Sequence, residues 1–260
     1  MNAIDVVSWN VLADSYVKPE YWPNTPPELL EPQRRRAALL DRLGTYVGDV
    51  DVVCLQEIEP AMFAAAEARL GAPFEGGFVK KQGKPDGCAI FVRRSLGAVD
   101  FAEHAYGDGT GHVALAARFG GIGIATTHLK WEKPEVPPEE RLGRGELLEL
   151  VSAWLRPGEP WIVCGDLNAD ASSPVLRVAF DRGLRDAYAT LPDACTANSN
   201  AKRKRIDFIL HTDHFEATPA PLPAIDDMTP LPSPTEPSDH LAIRARLLAS
   251  RGGGVKKRAS

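Results

Sequence analysis

Ile162-Val163-Cys164-Gly165-Asp166-Leu167-Asn168-Ala169-Asp170 is an apolar run that stops abruptly in polar groups, and its reading decides the fold. A short continuous apolar run predicts a buried strand. It would carry Trp161, Ile162, Val163 and Cys164 through a core, with Gly165 turning the backbone sharply so that Asp166 and Asn168 emerge at the C-terminal end. Groups at the end of a rigid strand are well held for chemistry. The carboxylate and the amide, separated by Leu167, can face one ligand from the same loop, the first accepting a proton or a metal and the second donating to an anion. Gly, Asp and Asn also dominate ordinary turns, so the stretch gains meaning only if the pattern recurs.

It recurs on both sides. Upstream, Val113–Phe119 and Ile122–His128 read as a hairpin about Gly120-Gly121, and the second strand ends in Thr127-His128-Leu129-Lys130-Trp131. Asp86–Val92 is a further buried run, whereas the Gly-, Lys- and Pro-rich residues 71–87 are expected to be loop, with no Gly-Lys-Ser/Thr signature of a phosphate-cradling P-loop. Asp51–Leu55 ends in Gln56-Glu57, and an alanine-rich helical stretch from Pro60 to Leu70 follows. Residues 4–12 form a strand interrupted by Asn10, an amide that must be hydrogen-bonded if buried. After a Pro-rich loop from Pro19 to Pro32, Leu39, Leu40, Leu43 and Val47 recur at helical spacing. Arg34, Arg35 and Arg36 lead into this helix as a solvated end, although cations at a helix N-terminus oppose its dipole and so invite an anionic partner.

Between His128 and the organising strand, Leu147, Leu148, Val151, Trp154 and Leu155 make one helical stripe that belongs to the core. Downstream come a short helix from Pro174 to about Arg182, a loop holding Lys202-Arg203-Lys204-Arg205, and the strand Ile206–Leu210 with Asp207 inside it. The basic run is either a solvated loop or a contact for a phosphate-bearing substrate. Residues 217–237 are proline-rich and expected to form an irregular surface loop. Pro237-Ser238-Asp239-His240 then precedes a last strand reaching about Leu248.

Composition narrows the partners. A chain of 260 residues with 44% hydrophobic content suits a soluble globular protein. A net charge of −5 argues against broad electrostatic wrapping of nucleic acid, so phosphates must be met locally or through bound cations. The cysteines at 54, 88, 164 and 195 show no CxxC spacing, which suggests a reducing compartment. No signal-peptide pattern opens the chain and no run of about 18 apolar residues occurs. We therefore expect a cytoplasmic monomer without membrane attachment.

Six strands thus end in or carry a polar residue: Asn10, Glu57, His128, Asp166 with Asn168, Asp207, and Asp239 with His240. There is no His/Cys cluster with zinc spacing, and an oxygen-dominated set suits Mg²⁺ or Mn²⁺. No Ser or Cys stands with a base as in an acyl-transfer triad, which leaves water as the nucleophile. Strands dominate, with helices interposed, so the architecture should be two packed sheets with helices outside.

The ordered set WN…QE…TH…GDLN…IDF…SDH resembles the endonuclease/exonuclease/phosphatase superfamily, which includes DNase I-like nucleases, abasic-site endonucleases, sphingomyelinases and inositol phosphatases. Asn10-Val-Leu-Ala-Asp-Ser-Tyr16, Asp86-Gly-Cys-Ala-Ile-Phe91 and Thr127-His-Leu-Lys130 resemble its deadenylase, nocturnin and Angel branch. The resemblance implies an α/β (α+β) four-layer sandwich of two mixed β-sheets flanked by helices, one domain over residues 1–250 and a disordered tail over 251–260. It implies that Glu57 binds Mg²⁺ with Asn10 beside it and Asp239 close by. Asp166 would orient or deprotonate the attacking water. Asn168, and His240 held by Asp207, would bond the phosphoryl oxygens, and His128 would contact the phosphate. Lys130, Arg144, His112 and the run Lys202 to Arg205 are candidate substrate contacts.

There are departures from the branch. Arg141 is followed by Arg144 where an Arg-x-x-Gln spacing is common, and His112 stands where Asn is common. No aromatic lies among Asn198 to Lys204 to stack on a base. The function so implied is a Mg²⁺-dependent phosphoesterase acting at RNA 3′ ends, as an exonuclease or end-trimming phosphatase. The alternatives are a phosphatase of a small phosphorylated metabolite or nucleotide, and a catalytically silent binding module on the same fold.

Overall fold

The computed structural model describes residues 3–250; the tail expected to be disordered, 251–260, lies outside the described residues. In chain order the elements are β1 (Ala3–Asn10), α1 (Pro32–Thr45), β2 (Val52–Ile58), α2 (Pro60–Leu70), β3 (Phe74–Lys80), β4 (Gly87–Arg93) and β5 (Asp100–Ala105). They continue with β6 (Val113–Phe119), β7 (Ile122–His128), α3 (Leu142–Trp154), β8 (Trp161–Asp166), α4 (Pro174–Phe180), β9 (Arg185–Asp186) and β10 (Ala197–Ser199). The last are β11 (Lys202–Lys204), β12 (Asp207–His211), β13 (Phe215–Pro219) and β14 (Ile243–Ala249). Pro32, Pro60 and Pro174 each occupy a first helical position, where the missing N–H costs nothing and φ is preset.

Two six-stranded sheets result, in the orders β13-β14-β1-β2-β4-β3 and β5-β6-β7-β8-β12-β9. Both are mixed. Each contains one parallel pair, β1 with β2 and β7 with β8, bridged by α1 and α3 respectively. Registers Asn10 to Gln56 and His128 to Asp166 bring the carboxyl ends of both parallel pairs level within their sheets. Crevices beyond the carboxyl ends of strands are where open α/β sheets bind ligands.

Strand periodicity explains the layering. Along β1, Ile4 and Val6 point into the core between the sheets, while Val7 and Trp9 meet α1 and α2 through Leu39, Leu43, Met62 and Ala66. Along β8, Ile162 and Cys164 point inward, and Trp161 and Val163 meet α3 and α4 through Leu147, Val151 and Leu176. Strands covered on both faces read as continuous apolar runs, which is why the central strands were visible in the sequence.

The inward row turns polar at one end. Ser8, Gln56 and Thr126 continue the inward parity, and Gln56 Nε2 donates to Ser8 Oγ at 3.2 Å and to Thr126 Oγ1 at 2.8 Å, tying the sheets together. One step further along the same parity stand Asn10, His128 and Asp166, with Asp207 opposite Asp166 at the start of the antiparallel β12. The site is the polar rim of the inter-sheet core.

Two loop assignments are corrected. Within residues 71–87, β3 pairs with β4 from Phe74 to Lys80. Its glycines are there for space: a Cβ on Gly76 would meet the Phe91 ring at 2.7 Å, and one on Gly77 the Phe101 ring at 2.4 Å. Within 217–237, the first residues belong to β13, and Ile225 and Leu231 form a small buried cluster with Leu241. Gly165 lies inside β8 and makes no turn. Its φ of 149° and the 2.0 Å that would separate a Cβ from the Thr127 carbonyl oxygen show a close approach between β7 and β8 instead. No helix among the described residues is long and apolar enough to cross a membrane.

Candidate active site

Asn10 joins the two sheets at the rim. Its Nδ2 donates to Glu57 Oε1 at 3.0 Å and to Asp166 Oδ2 at 3.1 Å, and its Oδ1 accepts the Leu12 N–H at 3.0 Å. Every polar atom of this buried amide is satisfied, as burial requires. One side chain therefore fixes the separation of two carboxylates from different sheets.

Glu57 reaches the cleft by breaking the strand's alternation. Parity along β2 aims Gln56 inward and Glu57 away, but the register shifts between Gln56 and Ile58, and Glu57 takes φ 54°. A bulge of this kind re-aims one side chain. Its Oε2 accepts the Ala13 N–H at 3.2 Å. Burial raises its carboxyl above the usual range, with Lys81 opposing and the charge of Asp239 adding to the rise.

Four of the five non-glycine residues with positive φ, namely Leu12, Glu57, Asn168 and Asn200, line the same cleft, which has a volume of about 460 Å³. Strained backbone collects at working sites. Asn168 is held there by its N–H donating to Asp166 Oδ1 at 3.0 Å and by its Nδ2 donating to the Leu129 carbonyl at 2.9 Å, which leaves one amide hydrogen free.

Asp166 is buried, and burial together with the charge of Asp207 pushes its carboxyl up to about 7, against the pull of His240, the Asn168 N–H and Asn10. His240 Nδ1 lies 2.9 Å from Asp207 Oδ2 and its Nε2 lies 3.7 Å from Asp166 Oδ2. Burial disfavours the imidazolium, yet Asp207, Asp239 and Asp166 outweigh it and hold this histidine well above its ordinary range. His128 goes the other way: burial, then the Lys81 cation, His112 and His240 hold it well below. Lys81 Nζ stands 3.1 Å from His128 Nδ1, and an ammonium only donates, so the His128 proton sits on Nε2, 3.7 Å from Asp166 Oδ2.

The remaining candidates divide. Lys204 and Asp239 line the cleft, Asp239 directly before His240 in the chain. Arg205 is turned away, paired with Asp186 and stacked on Phe208, its guanidinium 5.1 Å from the ring centre. Arg203 donates to the Ile225 carbonyl, and Lys202 is exposed. His112 is buried with Nδ1 3.3 Å from Glu146 Oε1, and its ring packs behind that of His128 with centres 6.0 Å apart. Lys130, Arg144 and His112 are not among the cleft-lining residues.

Sequence reasoning missed a buried support behind His128 and another behind Asn10. Lys81 and Asp86 pair at 2.6 Å, both essentially without solvent exposure, and Tyr16 OH donates to Asp86 Oδ1 at 2.6 Å. Lys81 lay in the stretch taken for loop. Arg35, read as part of a solvated run, is 2% exposed and donates to the carbonyls of Leu12 and of Pro237 (2.7 Å), and to Asp14 Oδ1 at 2.9 Å. It ties the loop after Asn10 to the Ser238-Asp239-His240 segment. Arg35→Ala is expected to lower stability by about 3–5 kcal/mol, because it strands a carboxylate and two buried carbonyls, whereas the exposed Arg34→Ala should stay within about 0.5 kcal/mol. Urea midpoints of the two variants decide this.

A divalent cation fits the rim. Glu57 and Asp239 are hard oxygen donors on one cleft, and the charge of Asp239 raises the cost of ionising Glu57 there, a cost that a cation relieves. Among the described residues, one trio of carboxylate and imidazole groups comes within joint ligand reach, Asp166, Asp207 and His240, with atoms within 4.8 Å. His240 Nδ1 is bonded to Asp207 in that trio, so it is already arranged to hold a proton. The expected metal set of Glu57, Asn10 and Asp239 is distinct from it.

The cleft thus lies at the carboxyl ends of two mixed sheets and gathers a buried carboxylate, an Asp-paired histidine and two hard-oxygen donors. Residues 7–240 match the Endonuclease/Exonuclease/phosphatase family, and the chain belongs to it. It is similar to nocturnin of Rattus norvegicus, 28% identical over 285 residues that cover 92% of this chain and 64% of the nocturnin. It is also similar to the CCR4-Not complex 3'-5'-exoribonuclease subunit Ccr4 of Kluyveromyces lactis, 22% identical over 337 residues, 98% of this chain and 42% of that protein. The chain thus spans less than two thirds of the length of these relatives. In fold it resembles the crystal structure of ANGEL2, a 2',3'-cyclic phosphatase, with a TM-score of 0.76, 19% identity and 95% of both chains covered. These relatives lie in the deadenylase, nocturnin and Angel branch that the sequence motifs resemble.

Proposed function

We propose that this chain is a Mg²⁺-dependent phosphoesterase that hydrolyses phosphodiester or phosphomonoester bonds at RNA 3′ ends, working as a cytoplasmic monomer. One observation carries the reading: Asn10 holds Glu57 and Asp166 on one cleft, within reach of a histidine already paired to a buried aspartate. The relatives named as a 3'-5'-exoribonuclease and a 2',3'-cyclic phosphatase support the RNA end as substrate.

The roles follow from the geometry. Asp166, with its carboxyl raised to about 7, is matched to take a proton from the attacking water near neutral pH. Asn168 offers its free amide hydrogen, and protonated His240 its Nε2–H, to the phosphoryl oxygens as charge develops on them. His128 presents a neutral Nε2–H to the same region. Glu57 and Asp239 would hold the cation, with Asn10 fixing Glu57. A bound divalent cation supplies Lewis-acid neutralisation of the phosphoryl charge. Lys204 adds a positive side chain on one wall.

Incubation with 3′-labelled RNA, cyclic-phosphate-ended RNA, NADPH and inositol phosphates tests the reading. RNA should be trimmed, the activity should vanish in EDTA, and Mg²⁺ or Mn²⁺ should restore it. Full activity in EDTA, or restoration by zinc alone, overturns the metal assignment. Turnover of the small metabolites with RNA untouched overturns the substrate.

A further inference from the structure

We propose that Tyr21 and Trp131 form the two jaws of a nucleobase clamp, so that the cleft takes a nucleotide unit with an unpaired base. This rests on reading the cleft as a phosphoesterase site, and it names the part of the substrate that lies beyond the phosphate.

Among the described residues, the large hydrophobic side chains left exposed include two aromatics, Tyr21 at 41% and Trp131 at 52%, and both line the catalytic cleft. Each is presented by a fixed backbone. Tyr21 closes a short 3₁₀ turn, Pro19–Tyr21, and its carbonyl accepts the Asn200 N–H at 2.7 Å from the turn between β10 and β11. The next residue, Trp22, is buried with Leu12 and Leu30, and its ring meets that of Tyr21 edge-on at 5.9 Å and 70°. Asn24 and Thr25 donate to the carbonyls of Asp227 and Pro232 and pin the rest of this lip.

The segment that carries Trp131 is held as well. Leu129 is fully buried and its N–H donates to the Asp166 carbonyl at 2.9 Å, while the Lys130 N–H donates to Glu146 Oε2 at 2.6 Å. Trp131 follows directly, three residues beyond His128. Hydrogen bonds in both segments therefore fix the backbone that presents two exposed rings to one cleft.

The chemistry selects a base. Every nucleobase has a π-face, and stacking on aromatic side chains is how unpaired bases are gripped with little regard to sequence. A lipid tail needs continuous apolar surface, but Asn168, Ser199 and Asn200 are also on the cleft wall with the rings. An inositol or sugar phosphate has no π-face to stack between them and packs on aromatics only through the C–H groups of its ring. A cleft of about 460 Å³ lies within the usual range for a small ligand and takes one nucleotide unit, not a duplex. Lys18, its Nζ 5.7 Å from the Tyr21 ring centre, and Lys204 supply cations for neighbouring phosphates. Of the Tyr and Trp side chains that line the cleft, Tyr16, Tyr21, Trp22 and Trp131, the two exposed ones are Tyr21 and Trp131.

The test uses the full chain with Asp166→Asn to silence turnover, titrated with adenosine 5′-monophosphate and with ribose 5-phosphate. Affinity is read by calorimetry. The nucleotide should bind roughly 10- to 100-fold more tightly than the baseless phosphate. That advantage should disappear in Trp131→Ala or Tyr21→Ala and return in Trp131→Phe. In the unsilenced enzyme, Trp131→Ala should raise KM for single-stranded RNA with kcat little changed. Equal binding of the two probes, or an advantage untouched by both alanine variants, overturns the clamp even if RNA is trimmed normally. A base advantage that the alanine variants remove, in a protein that hydrolyses no phosphoester, upholds the clamp and removes the proposed function.

Discussion

Glu57→Ala and Glu57→Gly are both expected to lose turnover by about 10³-fold or more, and the glycine variant is expected to be the more stable of the two. The loss follows from removing a hard-oxygen donor whose cation contributes several kcal/mol of charge stabilisation to a phosphoryl transition state. The stability order inverts the usual one. Within a strand, Gly costs roughly 0.5–1 kcal/mol relative to Ala. Glu57, however, sits in a bulge at φ 54°, where a Cβ costs about 1–2 kcal/mol and glycine costs nothing. Both variants leave the Asn10 and Ala13 donors short of the same acceptor, so that penalty cancels in the comparison. We expect Glu57→Gly to exceed Glu57→Ala by about 1 kcal/mol in urea denaturation. An alanine variant as stable as the glycine variant would show that no strain is stored at the bulge, and retained turnover in either would take Glu57 out of the cation site.

The same bulge marks the limit of what the sequence disclosed. Strands buried on both faces wrote themselves as apolar runs, so β1, β2, β4, β6, β7, β8 and β12 were legible, and their polar ends pointed to the rim. Parity even orders the rim: Asn10 shares the inward row of Ile4 and Val6, Asp166 that of Ile162 and Cys164, and Asp207 that of Ile209. Glu57 violates parity, and the alternation alone would send Gln56 to the cleft. The polar end of the Asp51–Leu55 run and the family pattern both marked Glu57, but the bulge that turns it into the cleft leaves no compositional trace. β3 was hidden because aromatic rings from other elements fill the space over its glycines. β5 was hidden because an edge strand that is largely exposed has no apolar run. Arg35 and Lys81 looked like ordinary surface cations. Their burial depends on carbonyls and carboxylates supplied from more than one distant segment, and one-dimensional spacing cannot show such a convergence.

His240→Ala is expected to lower kcat by roughly 10²–10³-fold with little change in KM, since the lost donor acts mainly on charge that develops in the transition state. Asp207→Asn should give a similar defect, although Asp207 lies behind the histidine. Its carboxylate receives the His240 Nδ1–H, with both oxygens at 2.9 to 3.1 Å, and so fixes which ring nitrogen faces the cleft. Burial alone would strip the proton from His240, and Asp207 is the largest influence that keeps it there. An asparagine in its place lacks the charge and can present an N–H to Nδ1, which favours the neutral ring. Asp207 is itself rigid: β12 pairs it opposite Asp166, and Phe208 and Ile209 beside it are fully buried. The two residues therefore act as one unit, and the double variant should be little worse than either single one. A kcat loss in the double variant equal to the product of the single losses would show that they act independently, and the charge-holding role of Asp207 would have to be abandoned.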